Sequence, residues 1–176
     1  MEYLDILQGL KNKKVTLSLP THLWDSLSLS TKKTIKCKRW KTFKFYLNSQ
    51  KNEICLKKIN NHSGGIYIFY VCPNIIPNNH KVIMYVGEAH YTTRQNLRKR
   101  ISEYYGYAPP DIRRPKISEM IEQYGDFLYC SYLELNCSNQ KILQIESELI
   151  NANLFPYNNK IPNKTIGKAV KAAFLQ

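Results

Sequence analysis

Two short apolar stretches fix the centre of any fold this chain can reach. Residues 65–71 read GIYIFYV, an unbroken apolar and aromatic run bounded by Gly64-Gly65 on one side and Cys72-Pro73 on the other. So short a run without polar alternation is the pattern of a strand covered on both faces. Residues 81–86, KVIMYV, read as a second strand that stops at Gly87. The intervening CPNIIPNNH is rich in Pro and Asn and reads as a loop. The sequence thus predicts a hairpin with a long connection.

Helical periodicity takes over downstream. In residues 94–104, RQNLRKRISEY, Leu97, Arg100, Ile101 and Tyr104 fall on one face. Arg100 therefore points with the apolar stripe, whereas Arg98 and Lys99 point elsewhere. A turn-rich connection at 105–115, a helix over 116–124 and a strand over 127–135 follow. A last helix spans 139–153, with Ile142, Glu146, Leu149, Ile150 and Asn153 on one face and Glu148 on the polar one. It ends near Pro156. An inward guanidinium and an inward carboxylate each need a partner, because a bare buried charge is costly. The simplest account of Arg100 and Glu146 is an ion pair between them.

Charge points outward to a partner. The 176 residues hold 26 Lys and Arg against 13 Asp and Glu, a formal net charge of +13, which suits a polyanion such as nucleic acid. The excess concentrates in residues 11–58, with 13 basic residues against Asp25 and Glu53. There Lys36, Lys38, Arg39, Lys41 and Lys44 interleave with Trp40, Phe43, Phe45 and Tyr46. Lysines neutralise phosphates and aromatic rings stack on bases. A strand pair near 35–47 and 52–59 with solvated lysines fits the same pattern. The turn cluster NNHSG at 60–64 separates a basic N-terminal extension, 1–62, from a main domain, 63–176. No apolar run of about 18 residues occurs, so no membrane span is expected, and the first residues lack the apolar centre of a secretory signal. Five cysteines without a CxxC pair predict free thiols in a reducing cytoplasm rather than disulfides or structural zinc.

In order, the main domain presents Gly65-Ile66-Tyr67, then Tyr85-Val86-Gly87, then Asn96-Leu97-x-x-Arg100-x-x-x-Tyr104. Glu146-x-x-Leu149-Ile150 and Pro156-Tyr157-Asn158 complete the series. This succession resembles the GIY-YIG nuclease superfamily over most of residues 64–160. NLRKRISEYY is similar to the corresponding helix of the nuclease subunit of bacterial excision repair. The resemblance implies an α+β fold, a small central and mostly antiparallel sheet flanked by helices. It implies hydrolysis of DNA phosphodiester bonds with one divalent ion, Mg²⁺ or Mn²⁺. On that analogy Glu146 is the metal ligand, Arg100 contacts the scissile phosphate, and Tyr85 is the general base or water-orienting phenol. Tyr67 supports the site, Tyr104 occupies the place of a family His or Tyr, and Asn158 fixes backbone or substrate. Restriction or another host–phage role is the expected setting. A double-strand cutter with one site per chain needs two protomers, such as a homodimer, or two binding events.

The chain departs from compact members of the family. Tyr67 and Tyr85 lie 18 positions apart and Tyr85 and Arg100 lie 15 apart, the second gap holding the extra residues EAHYTTRQ. Glu88 stands where repair relatives carry lysine, leaving His90 or Arg94 to supply a cation. Arg94 also rivals Arg100 for the phosphate. Arg94, Arg98 and Lys99 join the N-terminal lysines as candidate DNA contacts. The alternative function is a nucleic-acid-binding protein that keeps the nuclease fold and cuts little or nothing.

Overall fold

The computed structural model describes residues 15, 17–18, 20–45, 49–73, 75, 81–107 and 114–174. The fold is α+β: a four-stranded antiparallel sheet with helices on both faces. The strands are β1 (Lys41–Lys44), β2 (Gly64–Val71), β3 (Val82–Ala89) and β4 (Leu128–Leu135), in the order β1-β4-β2-β3. The helices are α1 (Leu29–Cys37), α2 (Ser49–Lys57), α3 (Leu97–Ser102), α4 (Pro115–Tyr124), α5 (Asn139–Asn153) and α6 (Lys164–Phe174). Among the described residues no helix is long and apolar enough to cross a membrane.

The predicted hairpin is β2 and β3, paired from Gly65 opposite Ala89 to Val71 opposite Val82. β2 is central because every one of its residues can bury a side chain or pass under a neighbour. Its other edge runs antiparallel to β4 along its whole length. Close approach explains Gly65, whose added Cβ would meet the Leu133 carbonyl.

Two cores form, one per face. Tyr67, Phe69, Leu97, Ile101, Tyr104, Met120 and Ile121 pack beneath α3 and α4. Ile66, Val86, Leu133, Ile142 and Ile145 pack beneath α5. Each fully buried aliphatic side chain contributes about 1.5–3 kcal/mol. The faces of α3 are those expected: Leu97, Ile101 and Tyr104 are buried and Arg100 rides at their margin.

Several local expectations need correction. Residues 49–57 form a helix, not the strand expected at 52–59, and β1 pairs with β4 instead. The alternation of apolar and polar residues there did not distinguish the two, and β4 offered β1 an open edge. β3 continues past Gly87 to Ala89, because glycine in a strand is tolerated where another group crosses over it. α3 starts only at Leu97, where the Asn96 side chain accepts the Lys99 N–H at 2.9 Å and caps the helix. Glu148, expected to be solvated, accepts the Ser28 N–H at 3.0 Å and the Ser28 hydroxyl at 2.9 Å, anchoring the start of α1 to α5. α6 was not foreseen. Tyr46 and most of the 72–80 loop lie outside the described residues.

Candidate active site

The edge position of β3 builds the site. An edge strand leaves every second residue with its N–H and C=O facing away from the sheet. At Met84 the carbonyl accepts the Tyr157 N–H at 3.0 Å. At Val86 the Asn158 side chain does both jobs, its Nδ2 donating to the carbonyl at 2.8 Å and its Oδ1 accepting the N–H at 3.0 Å. Two residues on, the Glu88 N–H hydrogen-bonds the Glu146 carboxylate. The chain reaches this edge because α5 ends at Leu154 in the left-handed region, φ 49°, which turns Pro156–Asn158 back along β3. Asn158 therefore fixes backbone, one of the two roles the resemblance allowed.

On the α3 face three phenols form a chain. The Tyr67 and Tyr104 hydroxyls lie 2.6 Å apart, and Tyr104 donates to Tyr85 at 3.3 Å. Gly87 is required beneath them, since a Cβ there would strike the Tyr67 phenol. Burial pushes the Tyr67 and Tyr104 phenols well above the usual tyrosine range, with charge on neighbouring phenols adding to it. Both stay protonated and act as hydrogen-bond supports. Tyr85 is half-buried and opens onto solvent.

Tyr85, Arg100, Glu146 and Asn158 line a single cleft of about 700 Å³, with Arg114 and Lys160 on its walls. Arg100 and Glu146 come from helices on opposite faces of the sheet and meet over the open edge of β3. They do not form the ion pair that is the simplest reading of the sequence. Arg100 instead pairs with Glu103 at 2.7 Å, and Gln95 donates to the same carboxylate at 2.8 Å. Burial opposes charge on Glu103, but the bonds from Gln95 and Arg100 hold its carboxyl below the usual range. Glu146 goes the other way. Burial, then the nearby Glu88 charge, raise it to about 7 against the pull of the Glu88 N–H and Arg100.

The remaining candidates lie elsewhere. His90 Nε2 faces Glu88 Oε2 at 3.4 Å outside the cleft lining, and neither atom has a hydrogen-bond partner among the described residues. Arg94 is exposed on the loop before α3 and is not part of the cleft wall. Arg98 donates to the Ile59 carbonyl at 2.7 Å and the Lys57 carbonyl at 3.0 Å, stapling the end of α2 to α3. Lys99 donates to the Arg94 carbonyl at 2.8 Å. Lys36, Lys38 and Arg39 are exposed, Lys41 pairs with Glu134 at 2.9 Å, and Lys44 ends β1. β1 is the sheet edge opposite β3, about 14 Å away at ordinary strand spacing. Glu88, Arg114 and Lys160 were not among the candidates. Glu88 was legible as the residue two beyond Val86 on a strand, had β3 been extended through the glycine.

A divalent cation fits the donor set. The Glu146 carboxylate faces the cleft, an oxygen donor suited to a hard ion, whereas the nearby Glu88 turns its Oε2 to His90 Nε2. Among the described residues no group of three or more His, Cys, Asp or Glu is placed to hold a metal. An ion that keeps several of its waters does not require one.

Comparisons of the chain with protein-family models, with curated proteins and with solved structures find no match.

Proposed function

We propose that this chain is a metal-dependent endonuclease that hydrolyses DNA phosphodiester bonds, as its resemblance to GIY-YIG nucleases suggests. One observation carries the reading: a half-buried guanidinium and a half-buried carboxylate share a cleft without pairing with each other, and a phenol lines the same cleft. A core ion pair would have closed that gap. A phosphate diester fills it, because it offers an anion to Arg100 and leaves the carboxylate free.

In this reading Arg100 binds the scissile phosphate through its fork of N–H donors and offsets charge that builds as water attacks phosphorus. Glu103 and Gln95 hold that fork in place until the phosphate arrives. Tyr85 orients the attacking water through its phenolic oxygen, while the hydrogen bond that Tyr104 donates to the same oxygen fixes its direction. Tyr67 and Tyr104 keep Tyr85 in position. Glu146 would hold Mg²⁺ or Mn²⁺, which would supply Lewis-acid stabilisation of the developing charge. Asn158 keeps the β3 edge registered beneath the cleft. The setting is restriction or another host–phage role in a reducing cytoplasm, to which the five free thiols are suited. Double-strand cutting then uses two protomers or two binding events.

Digestion of varied DNA substrates with Mg²⁺ or Mn²⁺, followed by mapping of the ends, tests the proposal. Cleavage is expected in the wild type and lost in Glu146→Gln, with DNA binding retained. Salt-sensitive binding without cleavage of any substrate assigns the chain to the non-cutting alternative.

A further inference from the structure

A second groove of about 1020 Å³ runs from the cleft along α6, and the two share Ile150, Asn158, Asn159, Lys160 and Pro162. Its walls carry Lys116, Lys160, Lys164, Lys168 and Lys171 and no carboxylate. None of these lysines takes part in an ion pair among the described residues. Residues 149–176 hold four lysines and no Asp or Glu side chain.

This arrangement works against the helix itself. Lys164, Lys168 and Lys171 sit at i, i+4 and i+7, so like charges are neighbours on one face, at about 0.2–0.5 kcal/mol each. Lys164 also opens the helix, at the positive end of its dipole. The helix is nonetheless held firmly. Asn163 accepts from the Thr165 and Ile166 N–H groups at 2.9 and 3.1 Å, and its own N–H donates to Asn151 of α5 at 3.0 Å. A fixed row of uncompensated cations that leads into a cleft lined by Arg100 and Arg114 is complementary to a polyanion.

We propose that this lysine groove is the principal phosphate-binding surface, and that a DNA strand lies along α6 as it enters or leaves the cleft. From Lys164 to Lys171 the helix rises about 10 Å, the axial span of about three phosphates of one strand. Phe155 and Val170 in the same groove give sugars and bases an apolar surface. The exposed Lys36, Lys38 and Arg39 near the opposite sheet edge play the smaller part. The direction of the strand rests on the nuclease reading of the cleft, whereas the binding surface does not.

The test measures binding of the full chain to a fluorescent mixed-sequence duplex and to its single strand, in chelator, across a salt series. The triple variant Lys164→Ala/Lys168→Ala/Lys171→Ala should lower the slope of log K against log salt by about 2–3, and affinity at 0.1 M salt by about a hundredfold or more. Lys36→Ala/Lys38→Ala/Arg39→Ala should change the slope by about 1 or less. Should the first triple melt early, Lys164→Gln and Lys168→Gln singly should each remove about 0.9 from the duplex slope. An unchanged slope in the α6 variants, or a larger loss in the N-terminal variant, overturns the assignment. So does loss of binding to phosphatidylserine vesicles with DNA binding intact. A chain that binds as described but never cuts refutes the nuclease reading alone, and one that cuts with an unchanged slope refutes the groove alone.

Discussion

Replacing Glu146 by Gln should stabilise the protein while abolishing cleavage, and the gain should depend on pH. The Glu146 carboxyl is raised from 4.5 to about 7, chiefly by burial and then by Glu88. That difference between folded and unfolded chains corresponds to about 3 kcal/mol. Below pH 4.5 both states hold the proton and the group costs nothing. As pH rises the unfolded chain releases its proton first, and stability declines until the folded chain follows near pH 7. Above pH 7 the wild type carries the full penalty and the glutamine variant does not. In chelator at pH 8 the variant should melt roughly 6–12 °C higher than wild type, at about 2–4 °C per kcal/mol for a chain of this size. At pH 4.5 the two should melt together. Mg²⁺ at a hundred times its Kd should restore about 2.7 kcal/mol to the wild type and nothing to the variant. Scanning calorimetry from pH 4.5 to 8.5, with chelator and with Mg²⁺, measures all of this. Equal melting of the two proteins at pH 8, or the same offset at both ends of the series, would refute the placement of an ionised carboxylate in the cleft.

Three further outcomes follow from the same geometry. Gly87→Ala drives a Cβ into the buried Tyr67 phenol, and overpacking plus the disturbed Tyr67–Tyr104 bond should cost about 2–4 kcal/mol in urea unfolding; a wild-type midpoint would count against the close crossing. Asn158→Ala removes both bonds to Val86 and should destabilise by about 1–3 kcal/mol, with faster hydrogen exchange at the Val86 amide; unchanged exchange would show that the side chain does not cap the edge. Arg98→Ala should lower stability by about 2 kcal/mol with little effect on turnover, because its donors serve the Lys57 and Ile59 carbonyls, whereas Arg100→Ala should lower turnover about 10²–10³-fold. The reverse pattern would mean that the two arginines have been exchanged in role.

What the sequence determined by itself is local. GIYIFYV read as a buried strand and KVIMYV as its partner, and the spacing of Leu97, Ile101 and Tyr104 set the buried face of α3 with Arg100 at its margin. The helix over 139–153 has the same limits in sequence and structure, because Ser138 caps its start and its apolar period is clear. Hydrophobic pattern reports which face turns inward, and so it located Glu146 as well. It carries no information on which partner that face meets. The Arg100–Glu146 pair, the bland account of two inward charges, is absent: the two helices lie on opposite sides of the sheet, and only sheet order brings these side chains to one cleft. Strand order likewise put β1, with Lys41 and Lys44, at the far edge and left β3 open for Asn158, Glu146 and the cleft. α6 escaped notice since three lysines without a carboxylate look unexceptional in a chain of net charge +13. Its charge became meaningful only when folding laid those lysines along a groove, since electrostatic potential depends on distances in space and not along the chain.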